Sequence, residues 1–152
     1  MSEQAQEGTF VLQRIYVKDV SFESPQSPDT FLKEWKPSVG FELNVGNVSN
    51  GQDHFEVTIG LTVTAKNEAE EVIYLIELQQ SGIFVIKGVT GEVLAQMLGS
   101  VCPSLLFPYA RETLDSIVTK GSFPPLMLAP INFDAIYAQA KAKSEAETAS
   151  IQ

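Results

Sequence analysis

Cysteine, histidine and tryptophan each occur once in the 152 residues, as Cys102, His54 and Trp35. A single cysteine excludes an intramolecular disulfide and any zinc site built on thiolates. A single histidine gives a metal no second imidazole, and beside a turn it reads as a solvated side chain rather than a general base. Basic residues are also scarce, with 10 Lys+Arg against 19 Asp+Glu and a formal net charge of −9. That balance argues against nucleic acid, because phosphate binding needs clustered Lys and Arg to release counterions. No run approaches the roughly 20 apolar residues that span a bilayer; Lys87, Arg111 and the prolines cut the longest candidates. The opening MSEQAQEG has neither the basic nor the apolar segment of a signal peptide. The expectation is a soluble protein of a reducing compartment with no direct membrane insertion.

Apolar residues make up 44% of the chain, enough to fold one domain. Residues 9–23 are rich in Val, Ile, Phe and Tyr and read as a strand, in which Val20 and Phe22 alternate with Asp19, Ser21 and Glu23. Residues 24–38 hold three prolines and cannot be a central strand, yet they carry Phe31, Leu32 and Trp35. A second strand is expected at 39–45, and Asn50-Gly51 is a hairpin signal. The third strand, 54–66, alternates most cleanly, with Phe55, Val57, Ile59, Leu61, Val63 and Ala65 on one side. A fourth strand follows at 72–87, open to a break near Ser81-Gly82.

The period then changes to that of helices. Thr90 is a candidate N-cap for a short helix to about Leu98. A longer helix is expected from Pro103 to Lys120 with Gly121 as its C-cap, and Pro108 must kink it or mark its start. A loop at 121–133 again mixes prolines with Phe123, Leu126, Met127 and Leu128. A last helix is expected through Ala146. Strands first and helices afterwards predict an α+β domain, a four-stranded antiparallel sheet with two main helices packed on one side. The domain spans 9–140, between a flexible N-terminal segment at 1–8 and a flexible polar tail at 141–152.

Catalytic chemistry finds no inventory. Cys102 at a helix start invites a lowered pKa, but no base is placed to activate it and it reads as a small buried residue. The glycines form no phosphate-binding motif, and Glu68, Glu70 and Glu71 read as solvated turn charges. No catalytic residue, metal or cofactor is expected. The two apolar loops have two readings, as cover for the core or as walls of a groove for apolar segments. The helix stripe that includes Leu106, Tyr109, Thr113, Leu114 and Ile117 exceeds what one core uses and predicts self-association.

Several strings in this chain resemble the SecB protein-export chaperones of bacteria: LFPYARE (Leu106–Glu112), Gly121–Pro124, LAPINFDA (Leu128–Ala135), RIYVKDVSFESP (Arg14–Pro25) and QQSGIF (Gln79–Phe84). The likeness spans roughly residues 9–140, in order. It departs from the family at Ile76, where cysteine is common, and at Gln96-Met97, where a His-Cys pair is common. The resemblance implies a cytoplasmic, ATP-independent holdase that keeps secretory preproteins unfolded and delivers them to the SecA motor. It implies a homotetramer, a dimer of dimers, with the long helix at the dimer–dimer contact. It implies a preprotein groove between the two apolar loops, lined by Phe22, Phe31, Trp35, Phe123, Leu126 and Met127. It assigns SecA docking to Asp19, Glu23, Leu75 and Glu77, with the zinc held by the partner. A general or toxin–antitoxin-linked holdase on the same fold, not serving SecA, is the alternative.

Overall fold

The computed structural model describes residues 8–150. Of the N-terminal segment expected at 1–8, only Gly8 falls inside that range; residues 151 and 152 of the tail also lie outside it. Strands β1 (Thr9–Glu23), β2 (Ser38–Ser49), β3 (His54–Lys66) and β4 (Val72–Lys87) precede helices α1 (Gly91–Gln96), α2 (Cys102–Lys120) and α3 (Phe133–Ser150). The strands form one antiparallel sheet in the order β1–β4–β3–β2. The α+β architecture is therefore the one the element order predicts.

The hairpins follow local turn chemistry. Between β2 and β3, Gly51, Gln52 and Asp53 all take positive φ, so the Asn-Gly signal opens a wider turn than two residues. Between β3 and β4, the Asn67 side chain accepts the N–H groups of Ala69 and Glu71 at 3.0 and 2.9 Å. Because β1 pairs with β4 and not with β2, residues 24–37 must cross one end of the sheet, from one edge to the other. That is the end at which Glu23 pairs with Leu75 and Ser38 with Lys66.

Alternation sorts the faces. Val57, Ile59, Leu61, Val63 and Ala65 of β3 are buried, beside Tyr74, Ile76 and Leu78 of β4. β4 runs unbroken through Ser81-Gly82 because the glycine serves packing rather than a turn. A Cβ at Gly82 would stand 2.8 Å from the Leu106 side chain, so its absence lets α2 lie close on the strand. β1 carries two register shifts, between Leu12 and Arg14 and between Val17 and Asp19. The second turns Lys18 and Asp19, consecutive residues, onto the same outer face. Lys18 there meets Glu56 of β3 at 2.7 Å, and the Tyr16 hydroxyl donates to the same carboxylate.

Residues 91–120 make one helical stretch, with a π turn at Met97–Val101 where the sequence suggests a gap. Pro103 has no N–H to give the Gly99 carbonyl, and the wider turn, closed by Cys102 N–H to Met97 C=O, takes the helix past it. Pro108 neither ends the helix nor marks its start; it sits on an exposed side, as does Ser104, whose carbonyl it leaves without an amide donor. The joined stretch is long and apolar enough to cross a membrane by composition, but one side of it lies on the sheet.

The apolar stripe of α2 divides. Leu106, Ala110, Leu114 and Val118, four apart, are fully buried against β3 and β4. Leu106 and Leu114 therefore belong to the core of a single chain and are not surface for subunit contact. Burying each such leucine contributes about 2 kcal/mol. Tyr109 is 51% exposed, and Thr113 and Ile117 lie half-buried on the flank. α3 docks through Phe133, whose ring meets Phe107 edge-on at 5.9 Å, and through Ser100, which donates to Asp134. It continues to Ser150, through residues read as polar tail, and residues 141–149 of it are exposed.

Candidate functional site

The crossover and the end of α2 meet at one end of the sheet. After β1, a turn and a short 3-10 helix (Asp29–Leu32) bring Phe31 and Trp35 back over the inner face. From the other side, α2 ends in a Schellman motif. Ser122 N–H donates to Thr119 C=O at 3.0 Å, and Phe123 N–H to Val118 C=O at 3.1 Å. Gly121 is the C-cap, as the sequence predicts, but Ser122 takes the left-handed conformation, with φ 67°. What requires glycine at 121 is space, since a Cβ there would stand 2.5 Å from the Phe22 ring.

This turn drives Phe123 into the centre of an aromatic cluster. Its ring centroid lies 5.0 Å from Tyr74, 5.3 Å from Phe31 and 5.5 Å from Trp35. Phe22 extends the cluster, 6.2 Å from Tyr74. Phe123 is 5% exposed, whereas Phe31 and Trp35 keep 47% and 38% of their surface open. Leu126 is half-buried beside the core and Met127 is 78% exposed. All six predicted groove residues thus lie in these two loops or at the adjoining end of β1; Leu32, in the same turn, is turned out to solvent.

Tyr74 is the member that sequence reasoning missed. It shares a side of β4 with Ile76, which pairs with Phe22, so strand parity would have placed it under the cluster once the register was known. Burial, with the nearby Asp115 carboxylate, holds its phenol above the usual range. Asp115 of α2 also accepts the main-chain N–H groups of Leu126 and Met127, at 2.9 and 3.3 Å. A cavity of about 280 Å³ opens beside Trp35, toward Lys33, Asn67 and Ile73. A second apolar groove of about 440 Å³ runs between Val45 of β2, Leu94 and Leu98, and Ile136 of α3.

The outer face of the sheet carries the acidic set. In the β1–β4 register Glu23 pairs with Leu75, Ser21 with Glu77 and Asp19 with Gln79, which puts all of them on one face, opposite α2. Asp19, Glu23 and Glu77 are exposed and Leu75 is half-buried.

Cys102 and His54, the lone thiol and the lone imidazole, lie apart from these surfaces' aromatic and acidic sets. The Cys102 thiol is buried and desolvation pushes its pKa up to about 12, the reverse of an activated nucleophile. His54 Nδ1 lies 2.7 Å from the main-chain carbonyl of Gln52, two residues before it. Among the described residues, no group of three His, Cys, Asp or Glu could hold a metal ion.

An antiparallel α+β sheet whose end carries half-open aromatic loops presents apolar surface to solvent. Comparison with known proteins gives the protein's kind. The profile of the family described as "Preprotein translocase subunit SecB" matches residues 3–144. The "Protein-export protein SecB" of Marinobacter nauticus is 57% identical over 140 residues, covering 92% of this chain and 84% of that protein. Its counterpart in Azotobacter vinelandii is 52% identical over 156 aligned positions, covering 97% and 95%. The chain belongs to the SecB family. Its fold is similar to that of a SecB-like chaperone of Mycobacterium tuberculosis, solved with a ChAD peptide from the HigA1 antitoxin. The TM-score is 0.68 and the identity 16%, over 80% of this chain and 90% of that one.

Proposed function

We propose that this chain is an ATP-independent holdase of the bacterial cytoplasm that binds unfolded secretory preproteins and delivers them to SecA. The observation that carries the reading is the half-open aromatic cluster, in which Phe31 and Trp35 stack on buried Phe123 yet stay well exposed. A ring anchored on one side and open on the other offers apolar area at low entropic cost. Met127 adds an adaptable, polarizable rim that suits clients of varied sequence. Each Å² that a client buries there contributes about 25 cal/mol. On a homotetramer several such weak contacts act together, so affinity needs no single strong one. The exposed Tyr109 and the flanking Thr113 and Ile117 are the part of α2 that suits subunit contact.

Release then comes by handover rather than by chemistry. The acidic outer face of Asp19, Glu23 and Glu77, with Leu75 among them, supports docking of a basic segment of SecA. The groove is tested by Trp35→Ala combined with Met127→Ala, titrated against an unfolded secretory precursor. Affinity is expected to fall about tenfold with the thermal midpoint little changed, in line with the loss of a central aromatic anchor. Undiminished affinity would remove the groove from this account.

A further inference from the structure

The loop after α2 lacks a scaffold of its own. Among the described residues, its last bond to the helix main chain is Phe123 N–H to Val118 C=O, and the next loop main-chain bond is Ile136 N–H to Asn132 C=O. Between Phe123 and Asn132, among the described residues, the main chain is held by one side chain, the carboxylate of Asp115; beyond it, Asn132 Oδ1 takes Ala135 N–H at the start of α3. A single oxygen of Asp115, Oδ1, accepts both Leu126 N–H at 2.9 Å and Met127 N–H at 3.3 Å.

The conformation they hold is a costly one. Met127 has φ 51°, in the left-handed region that a residue with a side chain disfavours. Pro124 and Pro125 stiffen the approach, and both are exposed. The consequence is that Leu126 packs beside the core while Met127 is thrust out, 78% exposed, its main chain tied to the same Asp115 carboxylate that lies near Tyr74 of the aromatic cluster.

We infer that Asp115 is a positioning residue for client capture, which fixes the 124–128 segment so that Met127 stands exposed and ready before a client arrives. The inference rests on the holdase reading and names a residue outside the apolar set that carries it. Asp115 touches no client; it acts through the loop, by sparing binding the entropy of ordering that segment. An acceptor in this place is required, and its charge is secondary. Asparagine, whose side-chain oxygen occupies the same position, therefore restores most of the function that alanine removes.

The experiment uses the full-length protein and a reduced, alkylated secretory precursor as the probe. Amide hydrogen exchange is followed at Leu126 and Met127 in parallel with affinity. In the wild type both amides are expected to exchange more slowly than those of Leu128 and Ala129. In Asp115→Ala that protection disappears and affinity falls about fivefold, mainly as slower capture. Asp115→Asn keeps both within about twofold, a rescue that loss of general stability would not show. Unprotected amides in the wild type overturn the inference whether or not any variant folds. Lost protection with unchanged affinity in Asp115→Ala overturns it as well, and so does asparagine failing like alanine. Failure of the wild type to bind the precursor sinks the holdase reading instead, which keeps the two failures apart.

Discussion

Ser122 holds a left-handed conformation that glycine takes without a Cβ penalty, at the position of a Schellman motif where glycine is usual. Ser122→Gly is expected to stabilise the fold by about 0.5 kcal/mol, the relief of strain being partly offset by a freer unfolded chain. Urea denaturation measures it, and a lower midpoint would contradict the assignment. The same turn shows how much a residue discloses alone. Gly121 was legible as a cap, because glycine after an apolar helical run is a local signal. That it must also be glycine to admit the Phe22 ring was not, because Phe22 lies 99 positions earlier in the chain. Tyr74 went unnoticed for a similar reason. Its side is fixed by strand parity, but its neighbours Phe22 and Phe123 come from distant segments.

At the level of elements, β1 is an edge strand held on its outer face by a contact that reaches past β4. Tyr16 and Lys18 both bond Glu56 of β3, and the bulge at Lys18 is what brings the ammonium to that side. The Lys18 and Tyr16 hydrogen bonds hold the Glu56 carboxyl below its ordinary 4.5. In return, burial and the carboxylate push the Tyr16 phenol up to about 12. A carboxyl depressed in the folded state contributes stability that is fully present above its unfolded pKa and is lost as pH falls through the folded value. The contribution is about 0.5 kcal/mol, because Lys18 is half exposed to screening solvent. Glu56→Gln should therefore lower stability slightly at neutral pH and flatten the fall below about pH 4.5 seen in the wild type. Unfolding curves at pH 7 and pH 3.5 measure both effects, and parallel losses for the two proteins would refute the coupling. The bulges also explain why alternation was readable only in the second half of β1. Two register shifts break the period of two that sequence reading relies on.

Charge is distributed over the molecule by halves. Residues 53–77 carry net −5, whereas 78–133, which include all of α1 and α2, are neutral. The proposed SecA surface lies on the acidic outer face and the proposed client cluster at the end of the inner face, so one should be alterable without the other. Glu77→Lys changes an exposed position on the outer face. It is expected to weaken binding to purified SecA by at least about tenfold while capture of an unfolded precursor stays within about twofold. Joint loss of both in parallel titrations would show that the two surfaces are not separate. The expected assembly is checked by mass in solution. A homotetramer would place Tyr109 of each chain in a contact, and a monomer at micromolar concentration would contradict it.

Taken by itself, the amino-acid sequence determined the element order, the clean inner face of β3, the turn at Asn50-Gly51 and the two loops too apolar to be ordinary connections. Each of these is a periodicity or a composition, a property of neighbours along the chain. Only the tertiary structure decided which half of the α2 stripe is core. Helical spacing put Leu106, Tyr109 and Leu114 on one stripe, and only packing on the sheet separated Leu106 and Leu114 from Tyr109. It likewise decided that α1 and α2 join through a π turn around Pro103, and that Phe123 gathers Phe31, Trp35 and Tyr74 about itself. It alone brought the Asp115 carboxylate to a main chain 11 residues further on. Such contacts depend on where a chain returns in space, and local pattern carries no record of that.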